Sequence, residues 1–243
     1  MIFLCFNIKN RVPFVENILN HLLSFGFNVW YDRKDIFLGD NRSTMNLENG
    51  AANLNVKYAI IIISPEFSTG NYCKKELDIL WKRKLKENIH IFPIFYNCTP
   101  ETIPSEYSYL LDSVCKFIMP NDETIFTVYH IVSKILYDYV SKLKNNSLNL
   151  IYKLIDDNFL KKSIRIYSSI DRNNYNSKMT TIYLMYKYIE TKVDLSDIQP
   201  FFYYGFDKLY SFSKLNIETD LRELQILEYM IVLLLDKYFI KDY

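Results

Sequence analysis

Through its first half the chain alternates short, wholly apolar runs with amphipathic stretches, and after that the alternation stops. IFLCF (2–6), FNVWY (27–31), YAIIII (58–63) and IHIFPIFY (89–96) show no apolar/polar period of two, which predicts strands covered on both faces. Between the first two, Val15, Ile18, Leu19, Leu22 and Leu23 recur at helical spacing, and Gly26 closes that helix. A short helix is expected near 44–54. Another is expected over 72–86, with Leu77, Leu80, Trp81 and Leu85 as its inner stripe, and a long one over 122–143. Cys115–Ile118 predicts a weak fifth strand. Strands alternating with helices across short connections predict an α/β fold, a flavodoxin-like five-stranded parallel sheet. Ligands of such sheets bind beyond the carboxyl ends of the strands, where Asn7, Asp32, Ser64 and the loop before Tyr72 fall.

The polar stretch SKLKNNSLN (141–149) predicts a linker. Residues 1–144 are expected to form the α/β domain and residues 147–243 an all-α helical domain for oligomerisation or sensing. Its helices are expected over 148–170, 178–192, about 196–213 and 219–240, with Ser177 and Ser196 as N-caps. The last helix is apolar nearly all round from Ile226 to Leu235, which predicts burial in a bundle or in an interface between copies.

Composition narrows the function. With 49% hydrophobic and 23% charged residues, the chain is a folded one. A formal net charge of +1 removes the electrostatic case for nucleic acid or an anionic membrane as partner. Apolar runs such as MIVLLL (230–235) fall far short of the roughly 20 residues of a membrane span. The four cysteines, 5, 73, 98 and 115, form no CxxC pair and no zinc-like spacing with histidine, so reduced thiols, no metal and a cytoplasmic location are expected. His21, His90 and His130 stand in no motif. KRKLK (82–86) reads as a solvated helix face and FFYYGF (201–206) as core.

Three pieces, in order, resemble a TIR (Toll/interleukin-1 receptor) domain. IFLCFN resembles its first box. GFNVWYDRKDIFLGD resembles the second, with the BB loop at 33–41. YAIIIISPEFSTGNYCKKEL resembles the third, in which a Trp-Cys-x-x-Glu-Leu motif opens a helix, and here Tyr72 stands at the tryptophan position. The likeness covers a little over half the chain. It implies either a scaffold that self-associates or an enzyme that cleaves NAD+ to nicotinamide and linear or cyclised ADP-ribose, as in phage defence and other innate immunity. The motif glutamate of the enzymes is Glu76, so the resemblance favours the enzymatic branch, an NAD+ glycohydrolase or ADP-ribose cyclase. It also implies a homo-oligomer through the TIR and helical domains and a downstream effector.

The chemistry suits one carboxylate. Breaking the nicotinamide–ribose bond builds positive charge on the ribose while the leaving group departs neutral, so Glu76 could serve without metal, cofactor or histidine triad, with NAD+ as the substrate. Cys73 shares a helix face with Glu76 and, with Tyr72, would wall the pocket. Asp32 and the BB loop with Gly39 would form the opposite lip, Phe6 and Asn7 the floor, and Trp30 or Tyr31 one side. Arg11 and Lys9 could meet the diphosphate. The plainer readings are also on the page: Glu76 favoured by a helix N-terminus, Cys73 as packing, Asp32 fixing a turn, Arg11 as a solvated charge. A non-catalytic TIR adaptor is the alternative function. A nucleoside-processing transferase is a third, which the pattern GFxVxxD…LGD disfavours.

Overall fold

Five strands form the sheet that the apolar runs predict: β1 Ile2–Phe6, β2 Val29–Trp30, β3 Tyr58–Ile63, β4 His90–Tyr96 and β5 Lys116–Ile118, all parallel in the order β2-β1-β3-β4-β5. The structure, a computed structural model, describes residues 1–70, 72–195, 205, 206, 209 and 221–240. β3 is central, and Ala59, Ile60, Ile61, Ile62 and Ile63 are all fully buried, because successive side chains enter opposite covered faces. β2 is shorter than expected. Its flanking amides are taken elsewhere: Phe27 N–H bonds the Leu22 carbonyl at the end of the first helix, and Tyr31 N–H bonds the Asp35 carboxylate at 2.8 Å.

Helix α1, Glu16–Ser24, buries Ile18, Leu19 and Leu22 and ends at Gly26, whose φ of 75° is one that glycine adopts without strain. It starts later than its apolar spacing suggests. Val12 is extended (φ −112°, ψ 131°), as a residue before proline prefers, so Ile8–Asn10 and Arg11–Val15 form separate helical turns. After β2 come the single turn α2, Asp32–Asp35, and a wide π-type helical segment, Thr44–Ala51. Helix α3, Cys73–Glu87, is closed by Asn88 in the left-handed conformation.

The inner stripe of α3 differs from expectation. Leu77 and Leu80 are buried and Trp81 packs on Tyr109, but Leu85 is 73% exposed. Arg83 takes the inner position at 6% exposure, donating to the carbonyls of Ala51, Asn53 and Val56 and to Glu87. KRKLK is therefore not wholly a solvated face; Arg83 ties α3 to the Thr44–Ala51 segment.

By internal packing the chain divides into units Met1–Val128 and Tyr129–Tyr243, and the cut falls within helix α4, Ile125–Val140. In the second unit the helix expected over 148–170 is two, α5 Leu148–Leu154 and α6 Asn158–Ser169. They break at extended Ile155, and Asp157 caps α6 through Leu160 N–H. Helix α7, Tyr175–Glu190, is capped by Asn174, not Ser177, because the Asn174 side chain accepts from the Ser177 amide. Ser196 and the helix expected at 196–213 lie largely outside the described residues, as do Phe201 to Tyr204, while Phe206 stacks on Tyr186. Helix α8, Leu221–Phe239, buries Ile226, Leu227, Met230, Ile231, Val232, Leu234 and Leu235 while packing on α5 and α7. Most of its apolar surface is covered within the chain. Of the two expected settings, these residues take the bundle one. Among the described residues no helix is long and apolar enough to cross a membrane.

Candidate active site

The carboxyl ends of β1 and β2, the start of α3 and the Thr44–Ala51 segment surround a cavity of about 320 Å³. Its wall brings together Phe6, Asn7, Arg11, Trp30, Asp32, Tyr72, Cys73 and Glu76, eight of the residues singled out from sequence, with Lys9 beside them. Gly39 is not on that wall. It has φ 97° in a turn closed by Asp40 N–H to the Phe37 carbonyl, in a conformation suited to glycine, with open space around it.

Glu76 stands in the first turn of α3, where a carboxylate held only by the helix dipole would be solvated and more acidic. Instead it is 6% exposed, and its pKa is raised to about 7. Burial is the main cause. The charge of Asp32 adds to it, while a hydrogen bond from the Cys5 thiol and the charge of Arg42 work the other way. Desolvation thus outweighs the dipole, and the group titrates near neutrality.

Cys73 packs one turn away, and its thiol donates to the Phe6 carbonyl at 3.2 Å. Burial and the neighbouring Glu76 push its pKa up to about 12, so it is a neutral wall and a poor nucleophile. Burial likewise raises the Cys5 thiol. The turn before α3 is sterically tight: a Cβ on Gly70 would lie 2.5 Å from Cys73 Sγ and 3.3 Å from Asn7 Nδ2. Asn7 is buried. Its amide donates to the Glu66 carbonyl at 2.5 Å, and its oxygen accepts from Lys9 N–H at 3.0 Å, so it joins β1 to the loop ahead of α3.

Arg11 differs from both sequence readings. It is 5% exposed, not solvated, and its guanidinium grips Asp32 with two bonds of 2.8 and 2.5 Å while donating to Tyr31 Oη at 2.9 Å. It also lies 5.3 Å from the ring centroids of Phe6 and Tyr31. Its charge is spent on Asp32, so it fixes the β2 edge rather than offering a free cation to an anionic group. Asp32 is held by that pair and also accepts from Arg33 N–H. Trp30 reaches the wall while stacked on Phe3 at 4.8 Å, and Tyr31 turns to Arg11.

Sequence reasoning missed Leu4, Ile8, Arg42, Asn46, Thr69 and Gly70 on the wall. Arg42 lies 6.0 Å over the Tyr72 ring, and Asn46 comes from the segment after the BB loop. A glycine just before a motif helix could have flagged Gly70. Nothing local could have flagged Asn46, which reaches the cavity only because Arg83 and the sheet dock its segment there.

Residues 2–115 match the family model described as TIR domain. The chain is 32% identical over 109 residues to the NAD(+) hydrolase TcpA of Theionarchaea archaeon (strain DG-70-1), covering 45% of this chain and 32% of that protein. It is 30% identical over 95 residues to the 2' cyclic ADP-D-ribose synthase BtTIR of Bacteroides thetaiotaomicron, covering 39% of this chain and 32% of that protein. The chain thus spans about a third of the length of these relatives. Among solved structures, the TIR domains of the activated Roq1 resistosome recognising the pathogen effector XopQ align with a TM-score of 0.39 and 23% identity, over 46% of this chain and 68% of that one. With the parallel sheet and the motif glutamate in place, the match identifies residues 2–115 of this chain as a TIR domain.

Proposed function

We propose that this TIR domain cleaves the nicotinamide–ribose bond of NAD+, with Glu76 as the catalytic carboxylate. The observation that carries the reading is the burial of Glu76 on the wall of an open cavity, without a cation bonded to it among the described residues. A buried carboxylate without a cationic partner is costly, and a cationic transition state offsets that cost. As the glycosidic bond breaks, positive charge moves from the pyridinium ring to the ribose C1' and O4', within reach of the carboxylate. The pyridinium charge of bound NAD+ also favours the ionised form of Glu76, as Arg42 does. Water capture gives ADP-ribose, and capture by a hydroxyl of the same molecule gives a cyclic product. Two relatives, one named a hydrolase and one a cyclase, leave both chemistries within the proposal. Use of the product, or of NAD+ depletion, as a cytoplasmic defence signal through a downstream effector belongs to it too.

Concentrated protein incubated with NAD+ tests this reading, beside Glu76→Gln, with products resolved by mass spectrometry. Release of nicotinamide by the wild type alone supports it, and the mass of the second product separates hydrolysis from cyclisation. Intact NAD+ at every protein concentration overturns it in favour of an adaptor that acts by self-association. A rate rising more steeply than protein concentration would show that copies of the TIR domain act together.

A further inference from the structure

The cavity has a polar group that the reaction chemistry leaves unused. Asn46 is 5% exposed and lines the cavity, yet its side-chain amide has no hydrogen-bond partner among the described residues. Its nitrogen and oxygen are not among the fully enclosed buried atoms that lack partners. They keep access to the cavity. A buried carboxamide left without bonds costs about 1–3 kcal/mol, and a ligand that bonds it removes that cost.

The chemistry of the wall narrows the ligand group. Asn46 offers two N–H donors and one acceptor oxygen. A phosphate only accepts, so it would satisfy the nitrogen and leave the oxygen bare. Phosphate is better served by Lys9 and Arg42, exposed cations on the same wall with no ion pair among the described residues. Arg11 is occupied by Asp32. The cations lie at the exposed rim; of the buried polar side chains on the wall, Asn7 and Arg11 are bonded to protein groups, which leaves Glu76 and Asn46 to face a ligand. A dinucleotide held by its diphosphate at the rim sends one nucleoside inward. If Glu76 meets the ribose, the remaining inward group is the base, and the nicotinamide base carries a carboxamide with two donors and one acceptor.

We propose that Asn46 is a specificity-determining residue that reads the carboxamide of the nicotinamide base by reciprocal amide hydrogen bonds. This rests on the NAD+ reading above for the identity of the base. The pair selects a base bearing a carboxamide over one bearing a ketone or a carboxylate at the same position, because neither of those supplies an N–H to the Asn46 oxygen.

The test compares NAD+ with its 3-acetylpyridine analogue, whose ketone accepts but cannot donate. Binding of each is measured by saturation-transfer NMR and turnover by nicotinamide or acetylpyridine release, in wild type and Asn46→Leu. Leucine is close in volume and removes a buried polar group, so folding is expected to hold; Asn46→Ala, with melting curves, covers its failure. The wild type is expected to prefer NAD+ by about tenfold, the worth of one net hydrogen bond, and the variants to lose that preference. A preference unchanged in both variants overturns the role of Asn46, even where turnover persists. Selective binding that depends on Asn46 without any turnover upholds it while sinking the proposed cleavage. No binding of either dinucleotide overturns both.

Discussion

Helix α3 carries two buried charged residues, Glu76 near its start and Arg83 near its end, each 6% exposed. They are buried alike and treated in opposite ways. Arg83 meets three backbone carbonyls at 2.9, 2.9 and 3.1 Å and the Glu87 carboxylate at 2.9 Å, so nearly all its donors are used. Glu76 faces a cavity with only a thiol hydrogen bond and distant charges to support it. Burial alone therefore does not mark a functional charge. What distinguishes the two is satisfaction: Arg83 is complete in the free protein, whereas Glu76 has no bonded cation among the described residues, which is the ground of the proposed function.

Substitutions sharpen that contrast. The largest effect is expected in Glu76→Gln, which keeps shape and removes charge: NAD+ turnover should fall at least about 100-fold, read by nicotinamide release. Arg83→Ala should do the reverse, costing about 4 kcal/mol of stability, as broken buried charge networks do, measured by urea unfolding. A neutral Arg83→Ala would end the claim that its bonds are structural.

The next effect concerns pH. Glu76 has a folded pKa of about 7 against an ordinary 4.5, so the folded state holds its proton more tightly than the unfolded one. Its cost to stability is absent below pH 4.5, grows between 4.5 and 7, and is complete above 7. Glu76→Gln should therefore be more stable than the wild type by about 3 kcal/mol at pH 8, converging at acid pH. Thermal melts across pH would show it. The kcat/KM should rise with pH through about 7, since the ionised form is the useful one, and kcat should inflect at lower pH because bound NAD+ favours that form.

A smaller effect is expected from Arg11→Met. It frees the charge of Asp32, which already opposes ionisation of Glu76, and so should move the rate inflection to higher pH. The smallest belongs to Leu85→Lys, expected within about 0.5 kcal/mol of wild type, because Leu85 is exposed and Arg83 holds the inner position.

Legibility varied with range. β3 was plain because a strand covered on both faces must be apolar throughout, and Glu76 because its motif opens a helix at the carboxyl edge. The edge strand β2 was overestimated, since its neighbouring amides bond a helix end and a carboxylate, choices that residue type does not display. In the second unit the helix expected over 148–170 divides at Ile155, where Asp157 starts a new helix through its cap.

The sequence by itself determined the parallel sheet, the helix that presents Glu76, and most of the residues expected around the cavity, all but Gly39 and Tyr31 lying on its wall, because apolar periodicity and a local motif encode these directly. Only the tertiary structure decided that Arg11 is committed to Asp32, that Gly39 stands away from the cavity, that most of the apolar surface of α8 is covered by its own chain, and that Asn46 enters the site. Each depends on partners distant in sequence. A side chain's charge is written in the chain, but whether that charge is satisfied depends on what folding brings beside it.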